Sequence, residues 1–420
     1  MEAERPRQRR RITAEDEPTS IHAVPDDLLR LILLRLDSPL WLLRAASACR
    51  LFRRAVAGAD FGRAFLRHAA SLHPPVVVGH YHDRSGRPIA FVPSSSPPPA
   101  IDGRRFSLDF LPQDVTTTTN WEVADCHGGL VLLSGGKASV FARRPHLIVC
   151  DPLTRRYQRI HRPPPAKKPG GNFAGTFLLD SGDGSSISIS NFRVMCCFRF
   201  HDAHGPKACV FSAADRCGGW RFLRQSSADC TGDVAGRVDG SLYLNVWDGG
   251  VVALDNASLE FSKVNLPIAI DTSEPLYRSF FTVVHGAGGP DDATSPPPTW
   301  IIHVYGEEKL EFFLLARGGG GGGGEWVLEH TISDLSEAVH GLPGSPERRL
   351  ELVTVVVVAV GAGTAVLSAW DHRDRKWLFS VDMDTKELQV VLANKKDYSR
   401  TRRTFAYTLP WPKFLRACMP

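Results

Sequence analysis

Residues 352–392 read LVTVVVVAVGAGTAVLSAWDHRDRKWLFSVDMDTKELQVVL, and this stretch decides the fold. It breaks into four apolar runs, 352–359, 365–370, 377–382 and 388–392, separated by Gly361-Ala362-Gly363, by Asp371-His372-Arg373-Asp374-Arg375-Lys376 and by Asp382-Met383-Asp384-Thr385-Lys386-Glu387. Residues 352–370 carry no charge and are long enough on paper to cross a bilayer. The β-branched run Val355 to Val358 and the glycines after it fit two buried strands joined by a turn better than a helix. The stretch predicts a four-stranded antiparallel sheet and no membrane span.

Working back toward the N-terminus, the same pattern recurs. Runs at 76–78 and 89–92 form a first set, and 129–133, 147–150 and 157–160 a second. A third comprises 192–200, 208–212 and 220–223, a fourth 241–247, 250–255 and 260–264, and a fifth 300–305, 310–316 and 326–331. With 352–392 this makes six sets whose starts lie roughly 50–60 residues apart, the spacing of propeller blades. The turns repeat too. Asp151-Pro152-Leu153-Thr154, Asp371-His372 and Asp382-Met383 each place an Asp at a strand end, where its side chain can bond the turning backbone. The basic stretch from Lys395 to Arg403 leads into residues 404–409, which read as a closing strand for the first set. A β-sandwich pair or a broken solenoid is the alternative reading. Proline- and glycine-rich stretches at 93–99, 163–171, 286–298 and 318–324 read as linkers, the last without the Lys-Ser/Thr that a phosphate loop needs.

The first seventy residues have a different grammar. Seven of the nine residues from Leu28 to Leu36 are aliphatic, and Pro25-Asp26-Asp27 ahead of them suits a helix start. Ser38-Pro39 opens a second helix over 40–48, a third runs near 49–57, and a fourth is expected over 60–72. Leu28/Ile32/Leu36 and Leu29/Leu33 lie on adjacent faces of the first helix, more apolar surface than a unit this small can cover. Residues 22–56 resemble an F-box in three places: Val24-Pro25-Asp26-Asp27-Leu28-Leu29, Leu36-Asp37-Ser38-Pro39, and Ala48-Cys49-Arg50-Leu51-Phe52-Arg53-Arg54. Val24, Ala48 and Phe52 replace the Leu, Val and Trp of that family's pattern. Cys126-His127-Gly128-Gly129-Leu130-Val131-Leu132 with the later Asp151-Pro152-Leu153-Thr154 resembles the kelch-like propeller attached to many plant F-box proteins.

The expected architecture is therefore α+β and multidomain. A polar tail (1–20) leads to a three-helix F-box module (21–72), an all-β, six-bladed propeller-like domain (74–410) and a short tail (411–420). The resemblance implies a substrate-recognition subunit of a cullin–RING ubiquitin ligase, docked on a Skp-type adaptor and through it on a cullin, with the propeller holding a target protein. Adaptor contacts are expected from Val24, Pro25, Leu28, Leu29, Ile32, Leu36, Pro39, Leu43, Cys49, Phe52 and Val56, some of which must be internal core. Target contacts are expected from loops 202–207, 247–250 and 371–375, with Trp247 and Arg373 as anchors. Other readings are a propeller that binds a small ligand or catalyses a reaction beneath an incidental helical cap, and an F-box protein acting outside the ligase.

Composition agrees with a globular chain. Of 420 residues, 43% are hydrophobic and 23% charged, and 50 Lys+Arg against 45 Asp+Glu leave +5, too diffuse to suggest a nucleic-acid partner. Nine cysteines without regular spacing, and a first twenty residues without an apolar stretch, suggest free thiols and a cytoplasmic or nuclear setting. No zinc-protease, nucleophile-elbow or Walker pattern is present, so neither an enzyme nor a cofactor is expected. His201-Asp202-Ala203-His204 reads as a polar turn, and Cys196-Cys197 as core thiols on opposite strand faces.

Overall fold

The computed structural model describes residues 24–36, 42, 45, 48–57, 77–84, 88–93, 103–116, 121–135, 145–164, 172–181, 187–199, 208–215, 219–223, 230–238, 240–246, 250–267, 280–285, 298–305, 309–316, 325–343, 352–361, 364–371, 376–392 and 401–409. β1 (Val77–Arg84) and β2 (Ala90–Pro93) join the last strand, β23 (Thr401–Thr408), in a sheet of order β2-β1-β23. The second blade is β3 (Trp121–His127), β4 (Leu130–Gly135), β5 (His146–Asp151) and β6 (Arg156–Ile160), and the third β7 (Asn172–Leu179), β8 (Arg193–Arg199), β9 (Ala208–Ser212) and β10 (Trp220–Phe222). The fourth is β11 (Cys230–Val238), β12 (Ser241–Val246), β13 (Val251–Asp255) and β14 (Phe261–Val264). The fifth is β15 (Phe280–His285), β16 (Thr299–Tyr305), β17 (Lys309–Ala316) and β18 (Glu325–Ile332). The sixth is β19 (Leu352–Gly361), β20 (Thr364–Asp371), β21 (Lys376–Asp382) and β22 (Leu388–Leu392).

The first strands of blades two to six and β23 form a ring. β23 meets β3, β3 meets β7, β7 meets β11, β11 meets β15, β15 meets β19, and β19 returns to β23. Six antiparallel meanders radiating from a closed ring of inner strands are a six-bladed β-propeller. At one point the ring tightens into a parallel pairing, Gly236 against Val283. A Cβ on Gly236 would stand 2.1 Å from the Val283 carbonyl oxygen, so only glycine permits that approach.

Blade faces are apolar because each packs on its neighbour. Leu132, Val149, Leu178, Val194 and Phe211 fill the seam between blades two and three, and Phe177, Met195, Leu242 and Leu254 the next. Cys196 lies in the first of these seams and Cys197 in the second, on opposite faces of β8 as strand alternation requires. Rims are clipped by indoles. Trp220 Nε1 donates to the His161 carbonyl, and Trp326 Nε1 to the Asn265 carbonyl, each at 2.8 Å and each reaching the residue just after the preceding blade's outer strand.

The Asp-led turns recur between third and fourth strands. Asp151 Oδ1 accepts from the amides of Leu153 and Thr154 at 3.1 and 3.3 Å, Asp255 Oδ1 from Ala257 and Ser258 at 3.1 and 2.6 Å, and Asp382 Oδ1 from Asp384 and Thr385 at 2.9 Å. Four residues after each Asp, the chain turns through positive φ at Arg155, Leu259 and Lys386 (53°, 60° and 61°). The Asp255 turn has the same form and lies where the sequence reading placed no signature. Between β3 and β4 the two-residue turn needs positive φ twice, at Gly128 and Gly129 (54° and 78°), as hairpins of this type do.

Two expectations change, the strand count of four blades and the end of the first helix. The sets read as three strands in blades two to five each gain an innermost strand, β3, β7, β11 and β15. The first set gains β23 on its inner side, as the closing-strand reading expected. Of the helical module, the structure describes α1 (Asp26–Leu34) and α2 (Arg50–Ala57), so the first helix ends two residues earlier than its aliphatic run. Most of 40–48 and all of 60–72 lie outside the described residues. Two further short helices are α3 (Gln113–Thr116) and α4 (Leu335–Val339), the latter capped by Asp334 accepting from the Glu337 amide at 2.9 Å. Residues 352–361 and 364–371 are strands, and no helix among the described residues is long and apolar enough to cross a membrane.

Candidate docking faces

α1 begins at Pro25, whose carbonyl accepts from the Leu29 amide at 3.0 Å, with Asp26 and Asp27 in its first turn where the helix dipole favours acids. Its aliphatic residues then divide. Leu29 and Leu33, four apart and on one face, are 1% and 2% exposed. They join Leu42, Ala55, Val78, Tyr81 and Phe106 in one continuous apolar cluster, so helices and first blade share a core. Leu28, Leu31 and Ile32, spaced i, i+3, i+4, are 54%, 59% and 49% exposed. Three half-open aliphatic side chains on one helix face are the largest such stripe among the described residues. The surrounding ion pairs, Arg30 with Asp27 at 3.9 Å and Arg54 with Asp26 at 3.7 Å, are solvent-exposed and add little.

The eleven expected contact residues sort accordingly. Leu28 and Ile32 are on the open stripe, and Pro25 is exposed beside it. Leu29 is interior, and Val24, Leu36 and Phe52 are half-buried against the same core. Cys49 is half-buried, Val56 lies in α2 with its side chain outside the described residues, and Pro39 and Leu43 lie outside them altogether. Leu31 was missed by the sequence reading, although its three-residue step from Leu28 was visible.

The two ends of the propeller are distinct. β1 starts at Val77 opposite Thr408 and finishes at Arg84 opposite Thr401, so the chain leaving the helices rejoins the propeller at the end where β23 finishes. In an outward meander, second-to-third strand connections all emerge at the opposite end. Three of them are β8–β9, β12–β13 and β20–β21, which flank the loops expected to hold a target. Trp247, Arg373 and most of those loops lie outside the described residues; the strands beside them point away from the helical attachment.

A polar hub sits at the attachment end, across blades two to four. Asp125 Oδ2 accepts from the Leu178 amide at 2.8 Å and from Arg237, whose Nη1 donates to the Leu178 carbonyl at 2.7 Å. Beside it the Asp180 carboxylate meets His127 Nε2 at 2.6 Å and accepts from Asn256 Nδ2 at 2.8 Å, while Arg193 Nε donates to the Asp180 carbonyl at 2.7 Å. Burial alone would raise the Asp180 pKa; hydrogen bonds from His127 and Asn256 and the Arg237 charge outweigh it and hold it at about 2. A carboxylate depressed in the fold contributes stability above its unfolded pKa of about 4, and that contribution is lost as pH falls toward 2. The Asp180 side chain is 42% exposed, so after solvent screening the contribution is about 1 kcal/mol. Asp180→Asn should therefore flatten the fall in stability between about pH 4 and pH 2 in urea titrations; an unchanged acid limb would remove Asp180 from the acid response. Among the described residues no three His, Cys, Asp or Glu side chains gather as metal ligands would.

No family model matches the chain, and no curated protein matches it, so the F-box likeness rests on residues 22–56 alone. Among solved structures, the SapL1 lectin in complex with alpha methyl fucoside aligns with a TM-score of 0.39 at 13% identity, over 67% of this chain and 83% of the lectin. The fucose-specific lectin from Aleuria aurantia gives 0.37 at 12%, over 66% and 78%. The exo-beta-1,3-galactanase from Phanerochaete chrysosporium gives 0.33 at 10%, over 67% and 70%.

Proposed function

We propose that this protein is a substrate-recognition subunit of an SCF-type cullin–RING ubiquitin ligase. α1 docks on the Skp-type adaptor, and the propeller presents a target protein. The observation that carries the reading is the division of α1. A helix in a segment that resembles an F-box anchors itself with Leu29 and Leu33 and leaves Leu28, Leu31 and Ile32 open on one face. Uncovered, that stripe is a standing cost, because each aliphatic side chain gains roughly 1–3 kcal/mol when a partner removes it from water. The chain's role is then scaffolding, which concentrates a target near the ligase and requires no catalytic group or cofactor of its own. Its setting is the cytosol or nucleus. The target-holding surface is the propeller end opposite the helical attachment, so adaptor and target do not compete for one face.

The double substitution Leu28→Asp/Ile32→Asp tests the docking face. Both side chains are exposed, so thermal unfolding should not move, whereas affinity for purified adaptor should fall about a hundredfold or more as two charges meet an apolar surface. Leu36 is the wrong partner for this test, because it packs on the core and its substitution would disturb folding. Full adaptor binding by the double variant would sink the assignment. Target capture is tested separately: Trp247→Ala and Arg373→Ala should each weaken a co-purifying target without affecting adaptor binding.

A further inference from the structure

Outside α1, the large apolar side chains left open among the described residues are Tyr157, Val234, Tyr305, Val327 and Leu328. Two of them are neighbours on β18, at 43% and 49% exposed. Successive residues of a strand point to opposite faces, so the middle of β18 is open on both faces, while Trp326 and Ile332 toward its two ends pack on the buried clusters beside it. It is also the terminal strand of its sheet, and with eight residues it exceeds the outer strands β6, β10, β14 and β22, which have five, three, four and five. Among the described residues no strand pairs with its outward side, which is the free edge of the sheet. The Trp326 indole, bonded to the Asn265 carbonyl, holds the strand in place. Edge strands are blunted by Lys, Pro, other charges or bulges; β18 has neither Lys nor Pro, and its one bulge, at Glu329, leaves the run from Glu325 to Leu328 in regular register with β17.

We infer that β18 is a docking edge for an extended, basic peptide segment of a partner protein, which adds to the fifth blade as a further strand. The free sheet edge calls for a strand, Val327 and Leu328 offer apolar contacts on either face, and exposed Glu325 and Glu329 select Lys or Arg opposite them. The acids also argue against a second copy of this chain. Antiparallel self-pairing centred on Val327 sets Glu325 of one copy against Glu329 of the other, and like charges directly opposed are destabilising. The edge works independently of adaptor docking, so its test needs only the isolated full-length chain.

The probe is a labelled synthetic peptide alternating Lys with Val and Thr, compared with the same peptide carrying Glu for Lys and with one N-methylated along one edge. The Lys peptide should bind, the N-methylated one should not, and the Glu peptide should bind about tenfold or more weakly. Glu325→Lys/Glu329→Lys should invert the preference, and Val327→Lys should weaken the Lys peptide; all three positions are exposed, so unfolding curves should be unchanged. Equal affinity for the Lys and Glu peptides, indifference to N-methylation, or no binding overturns the inference. So does a dimer that Val327→Lys dissociates, which would assign the edge to self-association.

Discussion

A chain that ends at Arg400 should not fold cooperatively, while one that ends at Pro410 should match the full-length protein. The difference is β23. That strand is the innermost of the first blade, although it comes last in the chain, and it pairs with β1 from Val77↔Thr408 to Arg84↔Thr401. Without it β1 exposes its inner edge, and β3 and β19 face each other across a missing segment of the ring. Tyr407 and Leu409, 1% and 3% exposed, go with it. Tyr407 stands edge-on to Tyr81 and Phe91 and meets Phe106 with ring centres 5.3 Å apart, and its hydroxyl donates to the Gly129 carbonyl at 3.0 Å. Tyr407→Ala alone should cost about 3–5 kcal/mol, a large part of the roughly 5–15 kcal/mol that stabilises a domain. Loss of the ladder and both side chains exceeds that margin. Near-ultraviolet circular dichroism and limited proteolysis give the readout, and a truncated chain with an unshifted, cooperative melting transition would disprove the closure argument.

The same ring explains what the sequence made legible. Middle strands such as β4, β5, β16 and β20 pack on both faces between neighbouring blades, so they appear as unbroken apolar runs that are easy to find. Inner strands do not. β3 reads WEVADCH and β11 CTGDVAGRV, polar enough to pass for loops. Register shifts between Val123 and Asp125, between Phe173 and Gly175, and on both sides of Val234 break the alternation a strand reading depends on. Glu122 faces solvent, but Asp125 is buried despite its charge. Thr282 Oγ1 donates to the Ala235 carbonyl at 2.7 Å, and Asp125 and Arg237 bond each other across two blade seams. β15 and β19 are exceptions: LVTVVVVAVG is legible as it stands, and FFTVVH is an ordinary strand pattern, hidden only because three strands seemed to complete its set. On α1 the two apolar faces were legible from spacing, but which one faces inward was not, since that depends on Val78, Tyr81 and Phe106 far along the chain.

Asp125→Ala should destabilise the protein by about 3–5 kcal/mol, the usual consequence of leaving a buried charge without its partner. Two groups depend on that carboxylate. The Leu178 amide loses its acceptor and Arg237 its counter-charge, so β3 drops out of the link and only the bond from Arg237 Nη1 to the Leu178 carbonyl remains, between β7 and β11. Asp125 and Arg237 side chains are 11% and 20% exposed, so water can replace little of what is lost. Arg237→Met should cost a comparable amount, by stranding the carboxylate instead. The double variant Asp125→Leu/Arg237→Met discriminates between a pair that stabilises and a pair that merely must not be broken. Removing both charges relieves the desolvation cost of each, so it should recover most of the loss and fall far short of the sum of the singles. Denaturant unfolding of the four proteins measures the coupling directly. If the two single costs simply add, the three-blade bond is not a unit, and the inner ring must be held at this point by strand packing alone.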